Sequence, residues 1–203
     1  MDMGKSSEAE MSGSVSSVID YEVFLSFRGP DTRQGFADCL YHDMQEANIR
    51  VFFDEEGLHV GKEIADELPM AIKKSKIYVP IFSKGYASSP WCLRELAQMV
   101  DCVKSKPSEK EIIPILYNVK PRDVKLKSQQ YISALEEHEK KFGCKTRREW
   151  ENALKSVAKI KGRELKKQGC RLPPKKLPSL SFLRYFLHGS EVGFHPFKSI
   201  ALV

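Results

Sequence analysis

Two arginines at a predicted strand-to-helix corner could bind an anion. Arg28 and Arg33 flank the turn residues Gly29 and Pro30, directly after the apolar run 21–27. In open α/β sheets, ligands bind outside the carboxyl ends of the strands, and backbone N–H groups at a helix start suit negative charge. The corner therefore predicts a site for an anionic ligand. A solvated loop with a salt bridge explains the same residues equally well.

A carboxylate near the start of a later helix could add chemistry to such a site. Glu95 lies between the apolar residues Leu93 and Leu96, in the first turns of a helix predicted over 91–104. The helix dipole favours a carboxylate at this place. Trp91 lies one turn earlier, so it shares a helical face with Glu95 and could form an aromatic wall beside the carboxylate. Taken alone, the residues favour the simpler interpretation, an ordinary first-turn Glu beside a core tryptophan.

Alternating strands and helices must position both groups. Apolar runs typical of buried strands alternate with amphipathic helical patterns along the chain. This alternation predicts an α/β fold, a doubly wound parallel sheet with helices on both faces, in a single domain over 21–165. The first strand is expected inside the sheet, and Asp31 or Thr32 is expected to cap the helix that follows it. The predicted strands cover 21–27, 49–53, 77–82 and 112–119, and the predicted helices cover 33–48, 63–75, 91–104, 123–142 and 146–160.

The excess of positive charge lies at the C-terminal end of the chain. The formal net charge is +6, but residues 163–203 alone contain eight basic and two acidic residues, so the rest of the chain is balanced. The domain therefore has no net attraction for a phosphate backbone, and no specific nucleic-acid partner is expected. Residues 1–20 predict a disordered arm, and residues 166–203 predict an irregular basic and apolar tail. The apolar segment 180–187 is too short to span a bilayer, and membrane contact by the tail is not expected.

The sequence lacks the usual motifs of metal sites and of nucleotide hydrolysis. The five cysteines and five histidines are widely spaced, without the patterns of metal sites, and predict reduced thiols in a cytosolic-type compartment. The polar loop from Asp54 to Lys62 contains Gly57 and Gly61 and superficially suggests a phosphate-binding loop. Its glycine spacing is one residue short, and Glu63 follows Lys62 where a Ser or Thr is required. Nucleotide hydrolysis by that machinery is therefore excluded.

Several motifs, in order and without large gaps over about 21–162, resemble those of the plant Toll/interleukin receptor (TIR) domain. This family is the signalling module at the front of many plant immune receptors, and the resemblance implies its flavodoxin-like fold. The motifs are Tyr21–Arg33, Gly61–Ile64, Ile77–Leu96 and Pro114–Tyr117, followed by Pro121, Asp123 and Val124.

The resemblance implies cleavage of NAD+ at the nicotinamide–ribose bond, with Glu95 as the catalytic residue. Nicotinamide leaves as a neutral molecule, so no general acid is required, while positive charge develops on the ribose and can be stabilised by a carboxylate. NAD+ is then the substrate, and neither a cofactor nor a metal is expected. By the same resemblance, the substrate-binding residues are Arg28, Gly29, Pro30, Arg33, Phe53, Ser89 and Trp91. Asp54, Gly57 and Gly61 belong to a loop that gates the site.

The resemblance also implies that the protein functions by assembly. Family members become active when several copies associate through TIR–TIR contacts, and other TIR-containing immune receptors are expected partners, in the cytoplasm or the nucleus. The family's usual last helix and nucleotide-binding module are not recognisable after Gly162, which suggests a TIR-only or truncated protein. The alternative function is a non-catalytic adaptor or decoy that binds full-length receptors. Phe53, where many members have an arginine, and Gln129, where many have a glycine at a self-association surface, favour this alternative.

Overall fold

A parallel β-sheet forms the centre of the protein. The computed structural model describes residues 21–53 and 64–165. In chain order, the strands are β1 (Val23–Phe27), β2 (Val51–Phe53), β3 (Ile77–Phe82), β4 (Glu111–Ile112), β5 (Ile115–Tyr117) and β6 (Arg163–Leu165). Their spatial order is β2-β1-β3-β5-β6, with β4 also paired to β3, and every pair is parallel. The predicted α/β fold with the first strand inside the sheet is therefore confirmed.

The two ends of the chain and the predicted gating loop lie outside the described residues. They are the predicted N-terminal arm (1–20), the predicted gating-loop residues Asp54, Gly57 and Gly61, and the predicted tail (166–203). Within the described ranges, no helix is long and apolar enough to cross a membrane. No group of three or more His, Cys, Asp or Glu side chains there could hold a metal ion, and the four cysteines of these ranges form no disulfide bond.

Helices cover both faces of the sheet. They are α1 (Gly29–Thr32), α2 (Asp38–Glu46), α3 (Ile64–Lys74), α4 (Pro90–Ser105), α5 (Pro121–Val124) and α6 (Gln129–Val157). The apolar side chains of α2 pack on one face, together with Val23, Leu25 and Phe27 of β1. The helices α3, α4 and α6 pack on the other face, to which Phe24 of β1 belongs. This division follows from the alternation of strand side chains between the two faces and from the single apolar stripe of each helix.

Two of the longer predicted helices agree closely with the structure. The predictions for 63–75 and 91–104 match α3 and α4 to within one residue at each end. The predicted helix 123–142 is divided between α5 and the first part of α6, with residues 125–128 between them. The predicted helix 146–160 forms the second part of α6, after an interruption at Gly143. This glycine has a φ of +83°, in the left-handed region that glycine tolerates without a steric cost, so the helix direction changes there.

At three further places the helices and strands of the structure differ from the prediction. The predicted helix 33–48 becomes regular only in α2, because Gly35 has non-helical backbone angles. The predicted strand 112–119 is split into β4 and β5, since the run contains Pro114, which has no N–H to donate to a neighbouring strand. The strand β6 is not predicted, because Arg163–Leu165 is short, largely exposed and without an apolar pattern.

Candidate functional site

The Glu95 carboxylate lies beside the carboxyl-terminal end of β1. Ser26 and Arg28 follow Phe24 on the face of the extended chain that α4 covers, because side chains alternate along a strand. From α4, Glu95 accepts a hydrogen bond of 2.6 Å at Oε2 from the hydroxyl of Ser26. This distance is typical of a hydroxyl group that donates to a carboxylate. Glu95 is only 4% exposed, so the hydrogen bond lies inside the protein.

The start of α4 is fixed by a local hydrogen bond and by a contact with β1. Ser89 precedes the helix, and its Oγ accepts a hydrogen bond of 3.3 Å from the N–H of Cys92. Pro90 occupies the first helical position, where its missing N–H removes no helical hydrogen bond. The Cys92 thiol donates to the Phe27 carbonyl oxygen at 3.4 Å. These contacts hold the first two turns of α4 at the carboxyl edge of the sheet.

Trp91 lies one helical turn before Glu95, as the sequence spacing predicts. Its ring is half-buried and packs against the core on the α4 face. Its indole Nε1 is buried and has no hydrogen-bond partner among the described residues. Because a buried indole N–H normally donates a hydrogen bond, a polar atom of a bound ligand could satisfy this group.

Tyr86 extends the polar contacts of Glu95 into the core. Its ring is fully buried, and its hydroxyl lies 2.8 Å from Ser26 Oγ. Because the single hydroxyl proton of Ser26 binds Glu95, the tyrosine is the donor in this pair, and it shares its proton with the Cys92 carbonyl at 3.2 Å. Burial raises the pKa of Tyr86 well above its ordinary value, and the nearby Cys92 and Glu95 act in the same direction. Tyr86 therefore stays protonated and supports the Ser26–Glu95 hydrogen bond.

Arg28 is paired with a carboxylate, as the simpler interpretation of this residue predicts. Its Nη1 donates to Asp31 Oδ1 at 2.6 Å. The other oxygen of Asp31 accepts hydrogen bonds from the Ser83 hydroxyl at 2.5 Å and from the Gly85 N–H at 2.8 Å. Burial alone would raise the pKa of Asp31, but these hydrogen bonds outweigh it and hold the pKa below its ordinary value. The prediction that Asp31 or Thr32 caps the following helix is wrong, since neither makes a side-chain capping bond.

Gly85 leaves room for the close approach of this ion pair. A Cβ atom at position 85 would lie 2.8 Å from Asp31 Oδ2 and 2.9 Å from Arg28 Nη1. Such distances are shorter than normal contacts of a carbon atom, so a larger residue would displace one of the two side chains. The glycine thus leaves room for the backbone to donate directly to the Asp31 carboxylate.

Arg33 and Phe53 lie on the opposite face of the sheet from Glu95. Phe53 ends β2, and its ring stacks on Phe27 with the two centroids 4.8 Å apart. The Arg33 guanidinium carbon lies 5.1 Å from the centroid of Phe27 and 5.7 Å from that of Phe53, a cation–π arrangement. Because Phe27 belongs to the core on the α2 face, this group shares an edge of the sheet with Glu95 but not a face.

The predicted site residues that are described all lie near the carboxyl edge of the sheet. Gly29 and Pro30 begin α1 directly after Arg28, and Pro30 is exposed. The other described site residues form two groups, one on each face of the sheet. Arg28, Ser89, Trp91 and Glu95 belong to the α4 face, and Arg33 and Phe53 belong to the α2 face.

A separate cavity of about 690 Å³ lies between α3, α4 and α6. It is lined by the side of α4 that carries Arg94 and Ser105, and by Trp150 of α6. None of the predicted site residues that the structure describes lines it, so it is separate from the group around Glu95.

Sequence reasoning does not identify the residues that support Arg28 and Glu95. One of them carries a signal, because Ser26 is the single polar residue in an otherwise apolar and fully buried strand. Asp31 follows Arg28 in the same corner, whereas Ser83, Gly85 and Tyr86 come from the turn after β3, which the sequence marks only as a loop. The fold is needed to bring that turn to Arg28. The supporting residues are Ser26, Asp31, Ser83, Gly85 and Tyr86.

Comparison with known proteins identifies relatives over most of the chain. The family model described as TIR domain matches residues 20–171. TMV resistance protein N from Nicotiana glutinosa is 39% identical over 153 residues, which cover 74% of this chain and 13% of the relative. A probable 2' cyclic ADP-D-ribose synthase, BdTIR, from Brachypodium distachyon is 40% identical over 106 residues, which cover 52% of this chain and 45% of the relative. The chain thus spans a small part of the resistance protein and less than half of the synthase.

A solved structure has the same fold. The TIR domains of the activated Roq1 resistosome, which directly recognises the pathogen effector XopQ, align with a TM-score of 0.65 and 37% sequence identity. The alignment covers 71% of this chain and 87% of the solved chain. The similarity therefore includes most of the solved domain.

Proposed function

The chain belongs to the TIR domain family, and we propose that it cleaves NAD+ at the nicotinamide–ribose bond in plant immune signalling. In the hydrolytic form of the reaction, NAD+ and water give nicotinamide, ADP-ribose and a proton. Glu95 is the catalytic residue, and NAD+ is the substrate rather than a cofactor.

The placement of Glu95 carries this proposal. Its carboxylate lies at the carboxyl edge of the sheet and is oriented by the Ser26 hydroxyl, two residues before Arg28 on the same face of the chain. Breaking the bond to nicotinamide leaves positive charge on the ribose, and a fixed carboxylate in a water-poor site stabilises that charge. Since nicotinamide departs as a neutral molecule, a single carboxylate is sufficient.

Two arginines supply positive charge for the rest of the substrate. Arg28 lines the nucleotide pocket, and Arg33 binds the diphosphate from the other side of β1. Arg28 is paired with Asp31 but keeps 33% of its side-chain surface exposed, so an anionic ligand can compete for the guanidinium. Ser89 and Trp91, at the start of α4, contact the ribose and form the wall of the pocket.

Self-association belongs to the proposal because the site is closed in the single chain. Glu95 is 4% exposed, and a substrate ribose must come within contact distance of its carboxylate. The site therefore has to open before cleavage, and contacts between copies that favour the open form would couple activity to assembly. The similarity to the TIR domains of an activated resistosome supports assembly through TIR–TIR contacts, with other TIR-containing receptors as partners.

The synthase relative supports NAD+ as the source of the products. Its name describes a cyclic ADP-ribose, which forms when a ribose hydroxyl, rather than water, attacks the same ribose cation. Both outcomes begin with release of nicotinamide. Nicotinamide is therefore the product to measure, whichever nucleophile completes the reaction.

The second candidate function is a non-catalytic adaptor or decoy that binds other TIR domains. Two observations favour it. The Glu95 carboxylate is buried and accepts a hydrogen bond from Ser26, and Arg28 already has Asp31 as a partner. In addition, Phe53 stacks with aromatic side chains on the face opposite Glu95, where it contributes no charge to a nucleotide.

Release of nicotinamide from NAD+ distinguishes the two functions. The full chain is tested as a dilute solution and after fusion to an oligomerising module that brings several copies together. The enzyme is expected to release nicotinamide, and to do so faster per chain in the fused form. If neither form releases nicotinamide although the fused form binds the TIR domain of a related receptor, the adaptor is the correct function.

A further inference from the structure

The first half of α6 binds the loop that connects β3 to α4. This 83–89 loop, consisting of residues 83–89, begins directly after β3 and ends at the residue that caps α4. Three side chains of α6 donate hydrogen bonds to three backbone carbonyl groups of the loop. They are Tyr131 to Ser83 at 2.7 Å, Gln130 to Lys84 at 2.7 Å, and His138 Nε2 to Ala87 at 3.0 Å.

The same loop binds the candidate site from its other side. The Ser83 hydroxyl and the Gly85 N–H hold Asp31, which is the partner of the arginine at the end of β1. Tyr86 donates to the serine hydroxyl that orients the catalytic carboxylate. Ser89 caps α4. The position of this loop therefore sets the position of both charged groups of the site.

We propose that Tyr131 is a positioning residue for the Glu95 site and acts through the 83–89 loop. Its hydroxyl holds the first residue of the loop, at the Ser83 carbonyl. Of the three α6 donors, it is the most buried, with no exposed surface, so water cannot replace its hydroxyl. The proposal rests on the proposed function for its effect on catalysis, whereas its effect on the loop can be measured without substrate.

The hydroxyl of Tyr131 is a permanent donor. Burial, and after it the electrostatic effect of the nearby Asp123, Cys92 and Asp31, raises the pKa of Tyr131 well above its ordinary value. The Ser83 carbonyl accepts this hydrogen bond and a second one, of 3.2 Å, from the N–H of Tyr86 within the loop. Loss of the hydroxyl therefore weakens the attachment of the loop to α6 while the turn inside the loop remains.

Two tyrosine-to-phenylalanine variants separate positioning from general stability. Tyr131→Phe removes only the hydroxyl, and Tyr78→Phe is its matched control, because Tyr78 is also fully buried and donates to a backbone carbonyl, that of Ile72, at 2.7 Å. Tyr78 lies at the other end of β3. We expect similar losses of stability from both changes, but only Tyr131→Phe should lower kcat for nicotinamide release, about 5-fold, with KM little changed.

Hydrogen exchange measures the loop directly. The amides of Gly85, Ser88 and Ser89 are hydrogen-bonded in the described structure, and Tyr131→Phe should accelerate their exchange several-fold, while Tyr78→Phe should not. Gln130→Ala, at an exposed residue, is expected to accelerate the exchange of the same amides by a smaller factor. Its neighbour control is Gln129→Ala, since the side chain of Gln129 donates to Ser133 within α6.

The results distinguish failure of the positioning role from failure of the proposed enzymatic function. If the exchange of the loop amides is the same in the wild type, Tyr131→Phe and Gln130→Ala, the positioning role is wrong. If Tyr78→Phe lowers kcat as much as Tyr131→Phe does, the effect is one of stability and the positioning role is also wrong. If the wild type releases no nicotinamide but the loop amides respond as expected, the positioning role stands and the enzymatic function fails.

Discussion

The hydroxyl of Ser26 donates a 2.6 Å hydrogen bond to the carboxylate of Glu95 across 69 residues of sequence. Both residues are buried, with 1% and 4% of their surface exposed. The bond joins an interior strand to the first two turns of α4, and it fixes a side chain that would otherwise sample several rotamers. A carboxylate whose direction is set before substrate binds loses less entropy in the transition state.

Removal of the Ser26 hydroxyl should impair catalysis more than it impairs folding. Ser26→Ala takes away the donor that orients Glu95 and leaves the Tyr86 hydroxyl with the Cys92 carbonyl as its acceptor. We expect kcat/KM for nicotinamide release to fall about 10-fold, measured on the fused, oligomeric protein.

The control is a buried serine away from the site. Ser75 has no exposed surface, and its hydroxyl donates to the Ala71 carbonyl at 2.8 Å, so Ser75→Ala also removes one buried hydrogen bond. It should destabilise the protein by about 1 kcal/mol and leave the rate of nicotinamide release within 2-fold of the wild type, roughly the error of such assays. Equal losses of activity in both variants would mean that the Ser26–Glu95 bond has no special role.

The hydrogen bonds from Ser83 and Gly85 to Asp31, together with its Arg28 ion pair, should make stability sensitive to acid. The pKa of Asp31 in the folded protein lies below its ordinary value of 3.8, so the ionised carboxylate stabilises the fold above that pH. This contribution is lost as the pH falls through the lower folded value. Urea denaturation as a function of pH should therefore show that the free energy of unfolding of Asp31→Asn falls less steeply below 3.8 than that of the wild type.

A matched control for this experiment is an exposed aspartate. Asp101 pairs with Lys104 at 3.7 Å, and both side chains are exposed, so Asp101→Asn should follow the wild-type pH dependence closely. If Asp31→Asn and Asp101→Asn lose stability with the same slope in acid, the hydrogen bonds to Asp31 do not stabilise its charge.

A methyl group at position 85 should disturb the Arg28–Asp31 pair. The Cβ of Gly85→Ala would lie 2.8 Å from Asp31 Oδ2, and overpacking of this kind typically costs about 1–3 kcal/mol. Thermal unfolding and the KM for NAD+ measure the two consequences, lower stability and weaker substrate binding. In an Asp31→Ala background, where that carboxylate is gone, the cost of Gly85→Ala should be clearly smaller. Fully additive costs would show that the clash is not with Asp31.

The fold is predictable because it rests on long apolar patterns. Two strands, β1 and β3, have apolar runs, and two helices, α3 and α4, have apolar stripes. Each pattern is long enough to identify its element from the sequence, and together they predict the alternation of strands and helices. Short or interrupted elements carry too few residues for a pattern. The strand β6 is stabilised by parallel pairing with β5, and that tertiary interaction leaves no mark in the Arg163–Leu165 sequence.

The candidate site is predictable only in part. Glu95, Trp91 and Arg28 belong to recognisable motifs, and strand–helix alternation is enough to expect them at one edge of the sheet. The division of Arg28 and Arg33 between the two faces depends on the irregular turn after Thr32, which neither periodicity nor composition reveals. The polar contacts of Asp31 with the turn after β3 join segments about 50 residues apart and require the folded topology.

The account depends on Glu95 as the group that stabilises the ribose cation. The most direct test is the rate of nicotinamide release by the fused, oligomeric protein carrying Glu95→Gln, which keeps the shape of the side chain and removes its charge. The control is Glu22→Gln, at a buried carboxylate beside the opposite end of β1 that accepts the Arg50 N–H at 2.9 Å. We predict a loss of about 100-fold or more for Glu95→Gln and almost none for Glu22→Gln. A Glu95→Gln protein that releases nicotinamide at the wild-type rate would contradict the account.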